Sequence, residues 1–344
     1  MYALLFDLGG TFLRAAVAGA GWQLQHLART RISSVAGGFS EEIIWRRILE
    51  SMLRYEADHF DLLPPDAPVI LSFPGPIADG CRVVQAPTVA GSSLDAFNLP
   101  SAVERATGRP VRILNDVSAA AWHLAETNAD SRFLVVTVSS GIGSKIFDRC
   151  HPAGVIDQPP YAGEIGHVVV DDRPDAPVCD CGGRGHLGAI ASGRGIERLA
   201  RQVAACSPQT FLESACVKAF GATSSSLCNE QHIVPAVLAG DKWATGLVTA
   251  CTRPLARTLL TVTMACGLER IFVIGGFASA LASRYIEILK SLAVELCGYD
   301  VACDLLPDLF VGVPITEETS LAGCAAYLRR SLGKSRFAFR AVAQ

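Results

Sequence analysis

An α/β fold in two similar halves is what the sequence predicts, and three observations predict it. An apolar run, a small-residue turn and a second apolar run occur twice, over 2–17 and over 133–147. Short apolar runs at 69–73, 110–114 and 270–274 end in turn signals, and the last two lead toward helical stretches, the alternation of an α/β chain. The 344 residues, half of them hydrophobic and 18% charged, suffice for two substantial cores.

Taken in order, residues 2–6 and 12–17 pair as a hairpin around Asp7, Leu8, Gly9, Gly10 and Thr11. Backbone N–H groups in such a turn can face a phosphate with no Cβ in the way. Thr11 adds a hydroxyl, and Asp7 can hold a hydrated Mg²⁺. The plain alternative is an ordinary hairpin with a capping Asp. A helix is expected over 41–59, where Ile44, Ile48, Met52 and Tyr55 share one face. Strand 69–73 meets the rigid turn Pro74-Gly75-Pro76. A loop is expected over 86–91 and a helix over 99–107. Strand 110–114 runs straight into Asn115-Asp116 and a helix over 117–124. Open α/β sheets place ligands at that junction, so Asp116 is either a helix cap or a catalytic base.

The second hairpin turns through Ser139, Ser140, Gly141, Ile142 and Gly143, with Lys145 expected as a solvated strand-end charge. Helices follow over 195–205, 208–219 and 233–239, then a long helical stretch over 242–265 that Pro254 should kink or break. Strand 270–274 ends in Gly275-Gly276, which either lets a flat ring approach the backbone or simply makes a tight turn. A helix over 284–296, a strand within 304–311 and a helix over 317–330 close the chain.

Stretch 161–195 holds Glu164, His167, Cys179, Cys181 and His186 in a Gly-rich loop. Two soft thiolates and two imidazoles can give Zn²⁺ a closed tetrahedral shell, the structural kind of site. The alternative is a loop with incidental thiols. A closed shell leaves no position for substrate, so the metal would shape the loop and hold Glu164 toward one.

A net charge of −3 and a pI near 6.2 give no global attraction to nucleic acid or anionic membrane. The twelve cysteines are scattered and Met1 to Asp7 lacks a basic leader. The chain therefore reads as a cytoplasmic protein with reduced thiols.

In order, Asp7-x-Gly9-Gly10-Thr11, Asn115-Asp116, Ser140-Gly141-Ile142-Gly143, Gly163-Glu164-Ile165-Gly166-His167, Cys179-x-Cys181-Gly182, Ala191-Ser192-Gly193 and Gly275-Gly276 resemble the ROK family (repressors, open reading frames, sugar kinases) of the actin/hexokinase/Hsp70 superfamily. The Glu-x-Gly-His and Cys-x-Cys-Gly pair is the specific part. The resemblance implies two ribonuclease H-like α/β domains around a central cleft. These would be a small domain at 1–116 completed by a helix at about 317–331, a large domain at 117–316 carrying the loop 161–195, and a tail at 332–344. It implies a kinase that moves phosphate from ATP, with Mg²⁺, to a sugar hydroxyl. Asp116 would be the base, and Asn115, Glu164 and His167 would meet sugar hydroxyls. Asp7, Gly9, Gly10, Thr11, Ser140 and Gly141 would meet phosphates, and Gly275 and Gly276 the adenosine side. His167, Cys179, Cys181 and His186 would hold structural Zn²⁺. A homodimer is a further family expectation.

The departures lie on the sugar side. The family's Cys-Leu-Glu reads His186-Leu187-Gly188, and its Pro-Asn reads Pro87-Thr88. A missing carboxylate at a sugar site penalises the ordinary ligand, which favours a modified ring: a C7-cyclitol of the valiolone type or an amino sugar. An ordinary glucokinase is the alternative. From another class come a non-catalytic sugar-binding regulator, against which Asp7 and Asp116 argue, and a repressor, whose DNA-reading helices have no room ahead of Asp7.

Overall fold

A computed structural model describes residues 2–32, 38–78, 82–84, 89, 98–299 and 306–333. Thr88 and the tail 334–344 lie outside the described residues. The chain forms two compact units. One comprises Met1–Ala129, Cys150–Ala162 and Thr316–Gln344, the other Asp130–Arg149 and Gly163–Ile315.

The first unit is built on strands β1 (Ala3–Leu8), β2 (Phe12–Ala18), β3 (Leu24–Arg31), β4 (Val69–Phe73) and β5 (Val111–Asn115), in the order β3-β2-β1-β4-β5. The hairpin pairs are antiparallel, while β1–β4 and β4–β5 are parallel. Every residue of β1 and β4 is buried, which is why these strands read as unbroken apolar runs rather than alternating ones. Leu4, Phe6, Val69, Leu71 and Ile113 share a core with Ile44, Ile48 and Met52 of helix Glu41–Asp58. Helix Asp116–Thr127 packs against the C-terminal helix Thr319–Gly333. A Cβ on Gly323 would come within 1.8 Å of the Ala119 carbonyl oxygen, so glycine sets how closely the two helices approach. Trp122 meets Tyr327 edge-on at 5.7 Å, and Arg329 pairs with Glu126.

The second unit repeats the plan. Strands β6 (Arg132–Val138), β7 (Ile142–Asp148), β8 (Arg270–Ile274) and β9 (Phe310–Gly312) run in the order β7-β6-β8-β9, with an antiparallel hairpin followed by two parallel pairs. Leu134, Val136, Ile271 and Val273 form its core with Leu255 and Leu259 of helix Lys242–Cys266 and Leu289 and Leu292 of helix Ser283–Leu296. Two matching topologies bear out the expectation of two similar halves.

One strand appears that the sequence does not mark, and four expectations change. Strand β3 carries no apolar alternation because seven of its eight residues are exposed on the sheet edge. The stretch 208–219 is two short helices, Pro208–Glu213 and Ala215–Lys218. They break at Ser214 because the Ala215 N–H is donated to Asp241 Oδ2 at 2.8 Å rather than to the helix. Pro254 breaks nothing: Lys242–Cys266 is continuous, with Val248, Cys251, Leu255 and Leu259 buried around it. That packing outweighs the cost of about 3 kcal/mol for an interior proline. The late strand is only Phe310–Gly312. Finally, the division drawn at residue 116 falls before helix Asp116–Thr127, which the contacts assign to the first unit. Among the described residues no helix is long and apolar enough to cross a membrane.

Candidate active site

In the first unit Asp7 lies near the C-terminal end of β1, 7% exposed. It pairs across the hairpin with Arg14, whose Nη1 donates to Asp7 Oδ2 at 3.0 Å. Arg14 Nε is buried with no acceptor among the described residues. The turn between them is closed by the Gly9 N–H donating to the Phe12 carbonyl at 2.9 Å, with Gly10 and Thr11 exposed. Register carries the site across the sheet: Asp7 lies opposite Ser72, Ser72 opposite Leu114, and Phe73 opposite Asn115. Asp7 and Asn115 thus stand at one sheet edge, about 10 Å apart by strand spacing.

Asn115, 8% exposed, is the cap of helix Asp116–Thr127. Its Oδ1 accepts from Val117 and Ser118 N–H at 2.9 and 3.3 Å, and its Nδ2 donates to the Gly75 carbonyl at 2.8 Å. Among the described residues the second Nδ2 hydrogen is given no acceptor. Asp116 is the first helical residue, with Oδ1 accepting from Val117 N–H at 2.9 Å. The capping duty that competed for Asp116 therefore belongs mainly to its neighbour.

In the second unit the turn after β6 has Ser140 and Gly141 exposed and the Ser139 N–H donating to the Gly141 carbonyl at 3.0 Å. Two other segments seat it. Gly193, opening helix Gly193–Cys206, donates its N–H to the Ser139 carbonyl at 2.8 Å. Gly275, at the end of β8, has φ +104°, and a Cβ there would lie 2.6 Å from both N and O of Val138. Ser140, Gly141, Gly275 and Gly276 are thereby brought to one edge of the sheet. Beside them, helix Gly276–Leu281 borders a cavity of about 680 Å³ lined by Val273, Ala278, Ser279, Ile286, Val311 and Val313. The resemblance leaves Gly193 without a role; its signal in the sequence is the Ser192-Gly193 pair at a helix start.

Glu164 precedes a single 3₁₀ turn, Ile165–His167, pressed against β7. Gly163 has φ +83°, and a Cβ on it would sit 1.7 Å from the Ser144 carbonyl oxygen. The Glu164 carboxylate is 4.0 Å from Lys145 Nζ. Lys145 is not a solvated strand-end charge: it is 4% exposed within β7, and an ammonium so buried needs a nearby carboxylate. Arg14 went unnoticed in the sequence, although it lies opposite Asp7 in the register that the hairpin implies.

The four metal-ligand candidates do converge. His167, Cys179, Cys181 and His186 each offer one ligand atom, all within 4.8 Å of one another. Cys179 Sγ is 4.0 Å from His167 Nδ1, Cys181 Sγ is 3.3 Å from His186 Nδ1, and the two rings meet edge to face at 5.5 Å. The loop is built for this: the Cys179 N–H donates to the Gly183 carbonyl at 2.7 Å, and a Cβ on Gly183 would strike the His186 ring at 2.2 Å. Burial pushes the Cys179 thiol up from its ordinary value. A bound divalent cation reverses that, since it takes the thiolate. The donor set and its spacing fit a tetrahedral N₂S₂ zinc site.

Against known proteins, the profile of the ROK family matches residues 4–299. The chain belongs to the ROK family. A C(7)-cyclitol 7-kinase of Streptomyces hygroscopicus subsp. limoneus is 39% identical over 296 residues, 84% of this chain and 83% of that one. An N-acetylmannosamine kinase of Escherichia coli K12 is 30% identical over 313 residues, 89% of this chain and 92% of that one. Among solved structures, the ROK hexokinase of Thermus thermophilus aligns with a TM-score of 0.71 at 23% identity, covering 97% and 99% of the two chains. That last likeness concerns the fold, which is mixed α/β of the actin/hexokinase type.

Within the ROK pattern, Gly188 sits in the short helix Leu187–Ala191, its carbonyl accepting from Ser192 Oγ at 2.6 Å. A Cβ at Gly188 would lie 3.2 Å from the Gly166 carbonyl oxygen. The Gly166 carbonyl, next to His167, thus packs closely against Gly188.

Proposed function

We propose that this ROK-family kinase transfers the γ-phosphoryl group of ATP to the primary hydroxyl of a C7-cyclitol, a hexose-like ring of the valiolone type. The observation that carries this reading is the 39% identity to a C(7)-cyclitol 7-kinase over 84% of the chain. Gly188 supports it, because a ring altered where glucose would meet a carboxylate loses nothing at a bare turn.

On this reading Asp116 accepts the proton of the attacking hydroxyl. Asn115, Glu164 and the Nε2 of His167 hold the other ring hydroxyls, with His167 Nδ1 turned to the metal cluster. The turns Gly9–Thr11 and Ser139–Gly141 take the phosphates through backbone N–H groups, with Arg14 and Asp7 beside the first. Gly275, Gly276 and the cavity next to them take the nucleoside. Phosphoryl transfer asks the protein mainly for positioning and charge stabilisation, and these residues supply both. Mg²⁺ carried by Asp7 would neutralise phosphate charge. Zn²⁺ held by His167, Cys179, Cys181 and His186 would fix the loop that carries Glu164.

ADP release with MgATP, measured against valiolone-type cyclitols, glucose and N-acetylmannosamine, tests the reading. Turnover of the cyclitol at least ~10-fold above the hexoses is expected, and preferential turnover of glucose would make the protein an ordinary glucokinase. A hexosamine substrate is the second reading, favoured by the 30% identity to an N-acetylmannosamine kinase. Asp116→Asn is expected to lower kcat by about 10²–10⁴ with the melting temperature unchanged; near-normal turnover removes Asp116 as base. Metal analysis is expected to find one zinc per chain, and a metal-free preparation with unaltered stability would remove the zinc assignment.

A further inference from the structure

A charge lies buried beneath the Gly163–Glu164 turn. Lys145 stands in the middle of β7, opposite Val135 of β6, and is 4% exposed. Stability alone does not call for it, because a well-packed apolar residue usually does as well as a buried ion pair. What surrounds it is the segment that carries Glu164. Ser144 donates both its N–H and its Oγ–H to the Gly163 carbonyl, at 2.8 and 3.1 Å. A Cβ on Gly166 would come within 2.2 Å of the Ile142 carbonyl oxygen. The backbone on both sides of Glu164 is thus seated on β7. The stem of Lys145 runs under it, since a Cβ on Gly163 would lie 3.2 Å from Lys145 Cδ. The Glu164 side chain is 28% exposed and that of Lys145 only 5%, so the ammonium is inside and the carboxylate outside. Nζ and Oε1 are 4.0 Å apart, beyond a direct hydrogen bond. Lysine therefore acts on the carboxylate as a charge and leaves its lone pairs to accept from a ligand. Among the described residues no other side-chain cation comes as close to that carboxylate.

We propose that Lys145 is a positioning residue for ring recognition: from within β7 it holds the Glu164 carboxylate in place to accept hydrogen bonds from hydroxyls of the substrate ring. This deepens the function proposed above and rests on Glu164 meeting the ring. The ring then finds an anion already placed, and less side-chain freedom is lost on binding. Lys145 acts through Glu164 and touches neither ring nor phosphate. A purely structural ion pair would move the melting temperature and leave ring affinity alone.

A double-mutant cycle tests this on the intact protein, by steady-state kinetics with MgATP and a valiolone-type cyclitol, or glucose if that is the ring it turns over. Lys145→Met keeps the stem and removes the charge. It is expected to raise KM for the ring about tenfold, with kcat and KM for ATP within about twofold of wild type. Glu164→Gln is expected to raise the ring KM at least as much. Adding Lys145→Met to it should then change that KM by less than about twofold, because the group through which lysine acts is gone. An unchanged ring KM in Lys145→Met, whatever its melting temperature, overturns the proposal, and so does a further rise of about tenfold in the double variant. An unchanged ring KM in Glu164→Gln is a different failure: it removes Glu164 from the ring site, and the proposal falls with it. If Lys145→Met does not fold, the neutral double variant is compared with Glu164→Gln. Equal ring KM values support the proposal, and a higher value in the double variant overturns it.

Discussion

The two hairpin turns share a pattern and differ in what supports them. The turn after β1 stands on its own strands: Asp7 and Arg14 face each other across the hairpin at 3.0 Å, and the Gly9 N–H closes the loop onto Phe12. The turn after β6 has Thr137 opposite Gly143 where the first has its charged pair, and is seated from outside by Gly193 and Gly275. Their glycines differ accordingly. A Cβ on Gly9 would make only ordinary contacts, 3.5 Å to the Phe12 carbonyl oxygen, and one on Gly141 would meet nothing within 4 Å. A Cβ on Gly275 would collide with the backbone of Val138. Glycine is thus a packing requirement behind the second turn, whereas at the turn tips themselves it leaves the backbone bare for a ligand to approach.

The contrast breaks most severely at Gly275. Gly275→Ala combines a collision at 2.6 Å with a positive φ. It should cost about 3 kcal/mol or more of stability and abolish ATP binding, read by thermal melting and nucleotide titration; a stable variant that binds ATP would mean the second turn needs no such seat. Asp7→Asn should act through chemistry instead. Turnover is expected to fall about 100-fold, with about 1–3 kcal/mol lost because a partly buried Arg14 loses its charged acceptor. Gly9→Ala should leave the melting temperature within about 2 °C while raising KM for ATP several-fold. A large stability loss there would make the two turns alike. The smallest effect concerns the first unit alone. Burial holds His123 below the ordinary histidine value, so the unfolded chain takes up this proton more readily than the folded one. Stability from this group is present above about pH 6.5 and is lost as pH falls below it. His123→Gln should flatten the acid side of a plot of melting temperature against pH by about 1–2 °C.

Much of this contrast was legible in the sequence. Both hairpins, the Asn115-Asp116 junction and the four converging metal ligands follow from local spacing and turn chemistry, and local signals survive folding. What escaped depends on long-range partners. Strand β3 is held by one neighbour and has seven exposed residues, so nothing in its own pattern marks it. Lys145 reads as solvated until Glu164, nineteen positions later in the chain, is folded to within 4.0 Å of it. Ser214 ends a helix because Asp241 takes the next N–H. Pro254 remains helical because of the residues packed around it. In each case a tertiary contact overrode a propensity.

The pairing of Asp116–Thr127 with Thr319–Gly333 bears on how the protein is made. Both helices belong to the first unit, yet the second of them leaves the ribosome after the entire sheet of the other unit has been synthesised. The first unit therefore closes only after the strands of the second have been made. Until then the small-residue surface around Ala119, which Gly323 is shaped to cover, stays open in the nascent chain.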